Sequence, residues 1–305
     1  MSPVLAEQDK RAAGEAGGEV IRKVNREVIV LLGWGPAILM QFAHPLVAAG
    51  VAEHSSFRAG PSERVRRLRQ TLDAMLALTF GTPEQAARAA RGINAIHDRV
   101  HGELSEPGGP FPRGTAYSAH DPELLRWVHA TMLDMLPRTY ELFIGPLAIE
   151  EKDRYCADAT GIGPLLGTPD GYLPTSMAQL GEYMSEMLAS GEITVTPTAR
   201  MLARQIVSPD HLGRAGPPAW LNRLVTIGLL PPSIRADYGY RWDRRDELAL
   251  RLCAGASRRL VPLLPSALRH WPAARRAPPA PARTAGSSRA SPVRSRSHPQ
   301  PGSSA

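Results

Sequence analysis

Cysteine is nearly absent from this chain, which has two among 305 residues, Cys156 and Cys253. They stand far apart, without Cys-x-x-Cys or Cys/His spacing. That excludes a disulfide framework and a zinc site, and it fits a reducing compartment. A glycine-rich dinucleotide loop, a phosphate-binding loop and a Gly-x-Ser-x-Gly elbow are all missing, so nucleotide-binding and serine-hydrolase readings have no motif to rest on. Paired Glu-x-x-His motifs, which a dinuclear carboxylate bundle needs, are missing too. No internal repeat is evident. Residues 2–20 hold no apolar core segment, so the expectation is a chain without a secretory signal and a cytoplasmic location.

What is abundant is positive charge, but it is unevenly placed. The formal net charge is +7, and six arginines (275, 276, 283, 289, 294 and 296) follow Trp271 with no acidic residue among them. Setting those six aside leaves the preceding body near +1, so no basic stripe covers it and nucleic-acid binding by the folded part is not expected. With 43% hydrophobic residues the chain can build a real core. Residues 28–51 are long and apolar enough to suggest a membrane span. Gly33-Trp34-Gly35-Pro36 interrupts them, and two buried helices meeting at a Gly/Pro corner account for the run better. No transmembrane span is expected, and a peripheral membrane contact is left open.

Nearly every periodic segment reads as helix, and no alternating strand stands out. Helices are expected over about 17–33, 36–50, 61–81 and 82–102. Thr82-Pro83-Glu84 supplies an N-cap and a first-turn proline. Residues 105–119 read as loop, and Asp121-Pro122 opens a long helix reaching about Phe143. Further helices fall near 149–161, 174–189, 197–207, 217–228 and 243–263. The domain plan is a flexible N-terminus over 1–16, one helical body over 17–271, and a Pro/Ser/Arg-rich tail over 272–305 too poor in apolar residues to order.

The candidate chemistry lies in two of these helices. Arg67 and Thr71 are spaced i, i+4 and share a face. His97 has Ile93 four before it and Val100 three after, which sets the imidazole on an apolar stripe. A buried imidazole opposite a cationic and hydroxylic wall is what an axially ligated haem requires; a hydrogen-bonded core histidine is the bland alternative. His44 and His129 also have apolar neighbours at helical spacing, whereas His54, His120, His211 and His298 read as surface or loop residues. His97 and His101 form an i, i+4 pair, but Asp98 occupies the place where a zinc protease needs glutamate, and no third ligand is indicated. No Cys-x-x-Cys-His is present, so any haem would be held non-covalently.

Several segments in fixed order resemble one family. They are Gln41-Phe42-Ala43-His44-Pro45-Leu46, Arg67-Leu68-Arg69-Gln70-Thr71, Ile96-His97-Asp98-Arg99-Val100-His101-Gly102, Tyr117-Ser118-Ala119 with Asp121-Pro122, and Trp127-Val128-His129-Ala130-Thr131. Together they are similar to the oxygenases that include bacterial rubber oxygenases (latex-clearing proteins) and the fungal MpaB-type oxygenase, over about residues 20–240. The likeness is to the broad family rather than to the rubber enzymes proper. It implies a b-type haem in an all-α, globin-like core with His97 as proximal iron ligand. It puts the arginine and threonine of an Arg-x-x-Lys-Thr pattern on Arg67 and Thr71. Gln70 stands where the rubber enzymes have a distal lysine, and Glu53 corresponds loosely to their acidic group.

The reading is therefore an all-α haem b oxidoreductase using O₂ on a small apolar substrate. The candidate set is His97 for iron, with Arg67, Thr71, Gln70 and Glu53 for the distal chemistry and His129 and His44 as further cofactor-side histidines. Two rivals accompany it: a haem carrier or gas/redox sensor without turnover, and a helical structural or partner-binding protein without haem.

Overall fold

Helix starts are written into short capping sequences. Thr82 Oγ1 accepts from the Gln85 N–H while Gln85 Oε1 accepts from the Thr82 N–H, a reciprocal box that begins a helix at Pro83. Asp121 Oδ1 accepts from the Glu123 N–H, Thr196 Oγ1 from Ala199, and Asp243 Oδ1 from Arg245 and Asp246. Each satisfies backbone donors that the first helical turn leaves open.

The computed structural model describes residues 18–54, 61–208 and 217–277. The N-terminus expected to be flexible over 1–16 and the tail beyond 277 lie outside the described residues. The chain runs through α1 (Glu19–Asn25), a 3₁₀ segment (Val28–Gly33), α2 (Trp34–Phe42), α3 (Pro45–His54), α4 (Pro61–Phe80) and α5 (Pro83–His97). After strands β1 (His101–Glu103) and β2 (Ala116–Ser118) come α6 (Pro122–Phe143), α7 (Ile149–Ala159), α8 (Met177–Ala189) and α9 (Pro197–Val207). Helices α10 (Pro217–Gly228), α11 (Pro232–Asp237), α12 (Arg244–Leu260), α13 (Ser266–Arg269) and α14 (Pro272–Arg276) complete the body. The fold is all-α, as expected.

Several local expectations are corrected. The β1–β2 pair forms a short antiparallel ribbon, with Gly102 opposite Tyr117, inside a stretch read as helix end and loop. A segment of three residues per strand is too short to show alternation. The fifth helix stops at His97, so His101 belongs to β1, and the two histidines do not share a helix face. Pro272–Arg276 is helical, so the tail begins later than residue 272.

The apolar run over residues 28–51 also breaks elsewhere. The chain passes from 3₁₀ to α at Gly33-Trp34, and the sharp bend, 107°, falls between Phe42 and Pro45. Gly33 and Gly35 serve close packing instead: a Cβ there would lie 2.5 Å from Thr139 Oγ1 and 2.1 Å from Thr226 Oγ1 respectively. Among the described residues, no single helix is long and apolar enough to cross a membrane.

The core gathers around α6, whose Trp127, Met135 and Phe143 are almost wholly enclosed. Helix α2 and the 3₁₀ segment lie along it. Buried Asp158, at the end of α7, accepts from the Val20 and Ile21 N–H groups and caps α1 from the far end of the sequence. Glu27 closes the body. It is fully buried, and its carboxylate accepts from Arg269 Nε at 2.7 Å and contacts His270 Nε2 at 3.2 Å. The Trp271 N–H donates to the Arg26 carbonyl beside it. Removing one partner of a buried pair leaves an uncompensated charge, at a cost of about 3–5 kcal/mol. Because Arg269 keeps some solvent contact, Glu27→Ala is expected to lower unfolding stability by roughly 2–3 kcal/mol, measured by urea denaturation; a loss below the noise would show that the latch is not closed in solution.

Candidate active site

Helices α4 and α5 form an antiparallel hairpin, and the sequence-chosen residues fall on it unequally. Arg67 is half-buried, and burial pulls its pKa below the usual guanidinium range. Thr71 is exposed, and its hydroxyl donates to the Arg67 carbonyl of its own helix at 3.0 Å. Gln70 is exposed as well. The two side chains of the Arg/Thr pair are thus not both turned inward. The inward positions of α4 are Leu72, Met75, Leu76 and Thr79, which line a narrow cleft against Met132 and Leu136 of α6. Val30, Leu31, Trp34 and Trp271 add apolar wall and Asn25 and Glu27 a polar edge, and it encloses about 400 Å³ including its open mouth.

On α5 and α6, five buried polar atoms have no partner: Asn94 Oδ1, His97 Nδ1, Arg126 Nε, Trp127 Nε1 and His129 Nε2. Asn94 and His97 are one turn apart on α5, and α5 and α6 are each pinned near the end of α7, one to the segment that follows it and the other to its last residue. Asn94 Nδ2 donates to the Leu165 carbonyl at 2.9 Å, and the other ring nitrogen of His129 is hydrogen-bonded to the Ala159 backbone. Burial pushes the His129 imidazole down to about 4, the Ala159 bond opposing this weakly. It also lowers His97, helped by the neighbouring His120 and opposed by Asp98. Both rings are therefore neutral near pH 7, the form in which imidazole donates a lone pair.

His120, read from sequence as a surface residue, stands edge-on to His97 with ring centroids 5.8 Å apart and holds Asp98 Oδ1 at 2.7 Å through Nε2. Glu53 accepts a 2.6 Å hydrogen bond from Tyr117 Oη, which also contacts His54 Nε2 at 3.2 Å; the His54 and His101 rings lie 6.4 Å apart. Among the described residues, no group of three His, Cys, Asp or Glu side chains is arranged to hold a metal ion by itself.

His44 has a different role. It is buried at the α2–α3 bend, where Nδ1 accepts from the Leu46 N–H at 3.3 Å and Nε2 faces Glu192 at 3.7 Å. Its nitrogens are committed to holding the corner. Asn94 is the residue that sequence reading missed, although its position three before His97 on the same helix face was available as a signal.

These features define an all-α protein with neutral, partly unpartnered imidazoles on two of its helices. The catalytic-domain family described as ER-bound oxygenase mpaB/B'/rubber oxygenase matches residues 21–259, and the chain belongs to it. An oxygenase-type activity goes with that membership. No curated protein and no solved structure matches the chain.

His44 yields a pH prediction. Desolvation pushes it down to about 4, with Asp121 opposing, while an unfolded histidine titrates near about 6.5. Between those values the unfolded chain binds the extra proton, so the contribution of His44 is whole above about pH 6.5 and drains as pH falls towards 4, by about 1.4 kcal/mol per pH unit. Thermal unfolding between pH 7 and 4.5 should show this slope added to that of His129, and His44→Gln should reduce the total by about 1.4 kcal/mol per pH unit. Equal slopes in the two proteins would refute the assignment.

Proposed function

We propose that the chain is a haem b-dependent oxidoreductase that uses O₂ on a small apolar substrate. The observation that carries this reading is two half-buried neutral imidazoles, each with one enclosed and unpartnered ring nitrogen, His97 on α5 and His129 on α6. An unsatisfied buried polar atom costs about 1–3 kcal/mol, and coordination to iron would remove that cost. Haem, when bound, supplies the redox chemistry with O₂ that none of these side chains can perform alone.

His97 is the iron ligand in this reading, beside the Asp98–His120 couple. His129 is the second candidate, favoured by one specific feature. A ligating histidine normally donates its other ring N–H to a carbonyl or carboxylate, which fixes tautomer and orientation, and His129 already holds the Ala159 backbone in that way. Arg67 contributes a fixed positive charge on a half-buried wall, where electrostatic stabilisation is stronger than in water. With Gln70 and Thr71 exposed, their part in distal chemistry requires α4 to turn its outer face inward on ligand binding. Glu53, held by Tyr117, is the carboxylate available as a proton acceptor. The Leu, Met and Trp side chains of the cleft suit a non-polar substrate.

Protein produced with adequate haem is expected to show a Soret band near about 400 nm, as histidine-ligated haem does. His97→Ala should lose most of the haem or shift the band. His129→Ala separates the two assignments: loss there with retention in His97→Ala moves the ligand to α6. Product formation in a single turnover under O₂ distinguishes an oxygenase from a carrier or sensor. A folded, colourless protein indifferent to added haem ends the haem reading altogether.

A further inference from the structure

The C-terminal quarter of the body presents an apolar surface that nothing among the described residues covers. Leu248 and Leu252 stand one turn apart on α12 at 58% and 64% exposure, and Leu260 follows at 61%. Residues 262–268 are then exposed without interruption, with Leu263 at 78% and Leu268 at 70%. A solvated leucine is ordinary, but a contiguous set on consecutive elements marks an interaction surface.

Glu247, beside Leu248, pairs with Arg251 at 2.9 Å, and beyond it the charge along the chain has one sign. Glu247 is the last acidic residue of the sequence; ten arginines follow it, at 251, 258, 259, 269, 275, 276, 283, 289, 294 and 296. In the described part, Arg258 and Arg259 precede the exposed leucine loop, and Arg275 and Arg276 follow it. A nucleic-acid surface offers nothing to protruding leucines. A second copy of the chain would set arginine against arginine. An anionic bilayer answers both features, with acyl chains for the leucines and headgroup charge for the arginines.

We propose that the surface formed by α12 and residues 261–276 seats the protein on an anionic lipid membrane, with Leu263, Leu264 and Leu268 inserted among the acyl chains. The protein rests on the membrane and does not span it. Trp271, three residues beyond Leu268, forms one wall of the apolar cleft, so docking here brings that cleft to the lipid phase. This last consequence rests on the oxygenase reading, while membrane binding itself does not.

The test is co-sedimentation of the full chain with phosphatidylcholine vesicles, with and without phosphatidylglycerol. Binding is expected only to the anionic vesicles, weakening as salt is raised. The triple substitution Leu263→Ser, Leu264→Ser, Leu268→Ser is expected to reduce binding about a hundredfold or more. Because all three side chains are exposed, the far-ultraviolet spectrum, melting temperature and any Soret band should not change. Four results overturn the proposal. The first is no binding to either vesicle, and the second is undiminished binding by the triple variant. In the third, binding is lost on deleting residues 278–305 but kept in the serine variant, which assigns it to the tail alone. In the fourth, light scattering shows a dimer that the serine substitutions dissolve, which assigns the leucines to self-association. A colourless protein that still binds anionic vesicles refutes the haem reading and leaves this surface standing.

Discussion

A carboxylate with no exposure has to be neutralised where it lies, and Glu27 is such a group. Arg26 lies 3.6 Å from one of its oxygens, and the closer partners, Arg269 and His270, come from more than 240 residues further along the chain. The requirement to pair one buried charge therefore fixes the return of the C-terminal segment onto the N-terminal helix. It aligns the backbone there as well, through the Glu27–His270 bridge and the Trp271 N–H on the Arg26 carbonyl. With that closure made, Trp271 becomes a wall of the cleft between α4 and α6. The exposed leucines are held beside it. One ion pair thus sets the position of both the cleft and the surface next to it.

The helices were legible because their starts are local. Thr82-Pro83 and Asp121-Pro122 carry their capping information within four residues, and α5 and α6 begin where those signals place them. What was not legible is non-local. Gly33 and Gly35 look like turn residues in sequence, yet they are there because Thr139 and Thr226 approach within a Cβ radius. The bend falls instead at His44, whose ring accepts the Leu46 N–H. The end of α5 at His97 depends on the β1–β2 ribbon, whose pairing partner lies beyond a glycine- and proline-rich loop. The site was half visible for the same reason. Helical spacing found His97 and His129, while the partners that distinguish them, Leu165 carbonyl for neighbouring Asn94 and Ala159 for His129, belong to a turn no motif announces.

The Arg67/Thr71 pair shows how far spacing alone can lead. An i, i+4 relation guarantees that two side chains share a face, not that the face points inward. On α4 the apolar side is set by Leu72, Met75, Leu76 and Leu78, and Thr71 lies outside it, bonded to its own backbone. A hydroxyl satisfied in this way loses little on exposure to solvent and little on release. The same side chain is therefore free to exchange one partner for another at small cost, unlike Thr139, whose identical back-bond is buried under Gly33.

Three of the unpartnered atoms on α5 and α6 stand in the opposite situation. Asn94 Oδ1, His97 Nδ1 and His129 Nε2 are shut away from water and bonded to nothing in the protein, although most buried polar groups in a folded core are satisfied. At roughly 1–3 kcal/mol each, three such atoms amount to a large part of the stability of an ordinary domain. The Ala159 and Leu165 bonds hold the His129 ring and the Asn94 side chain in fixed orientations before any ligand arrives. Fixing those side chains in advance would lower the ordering cost of any group that pairs with them.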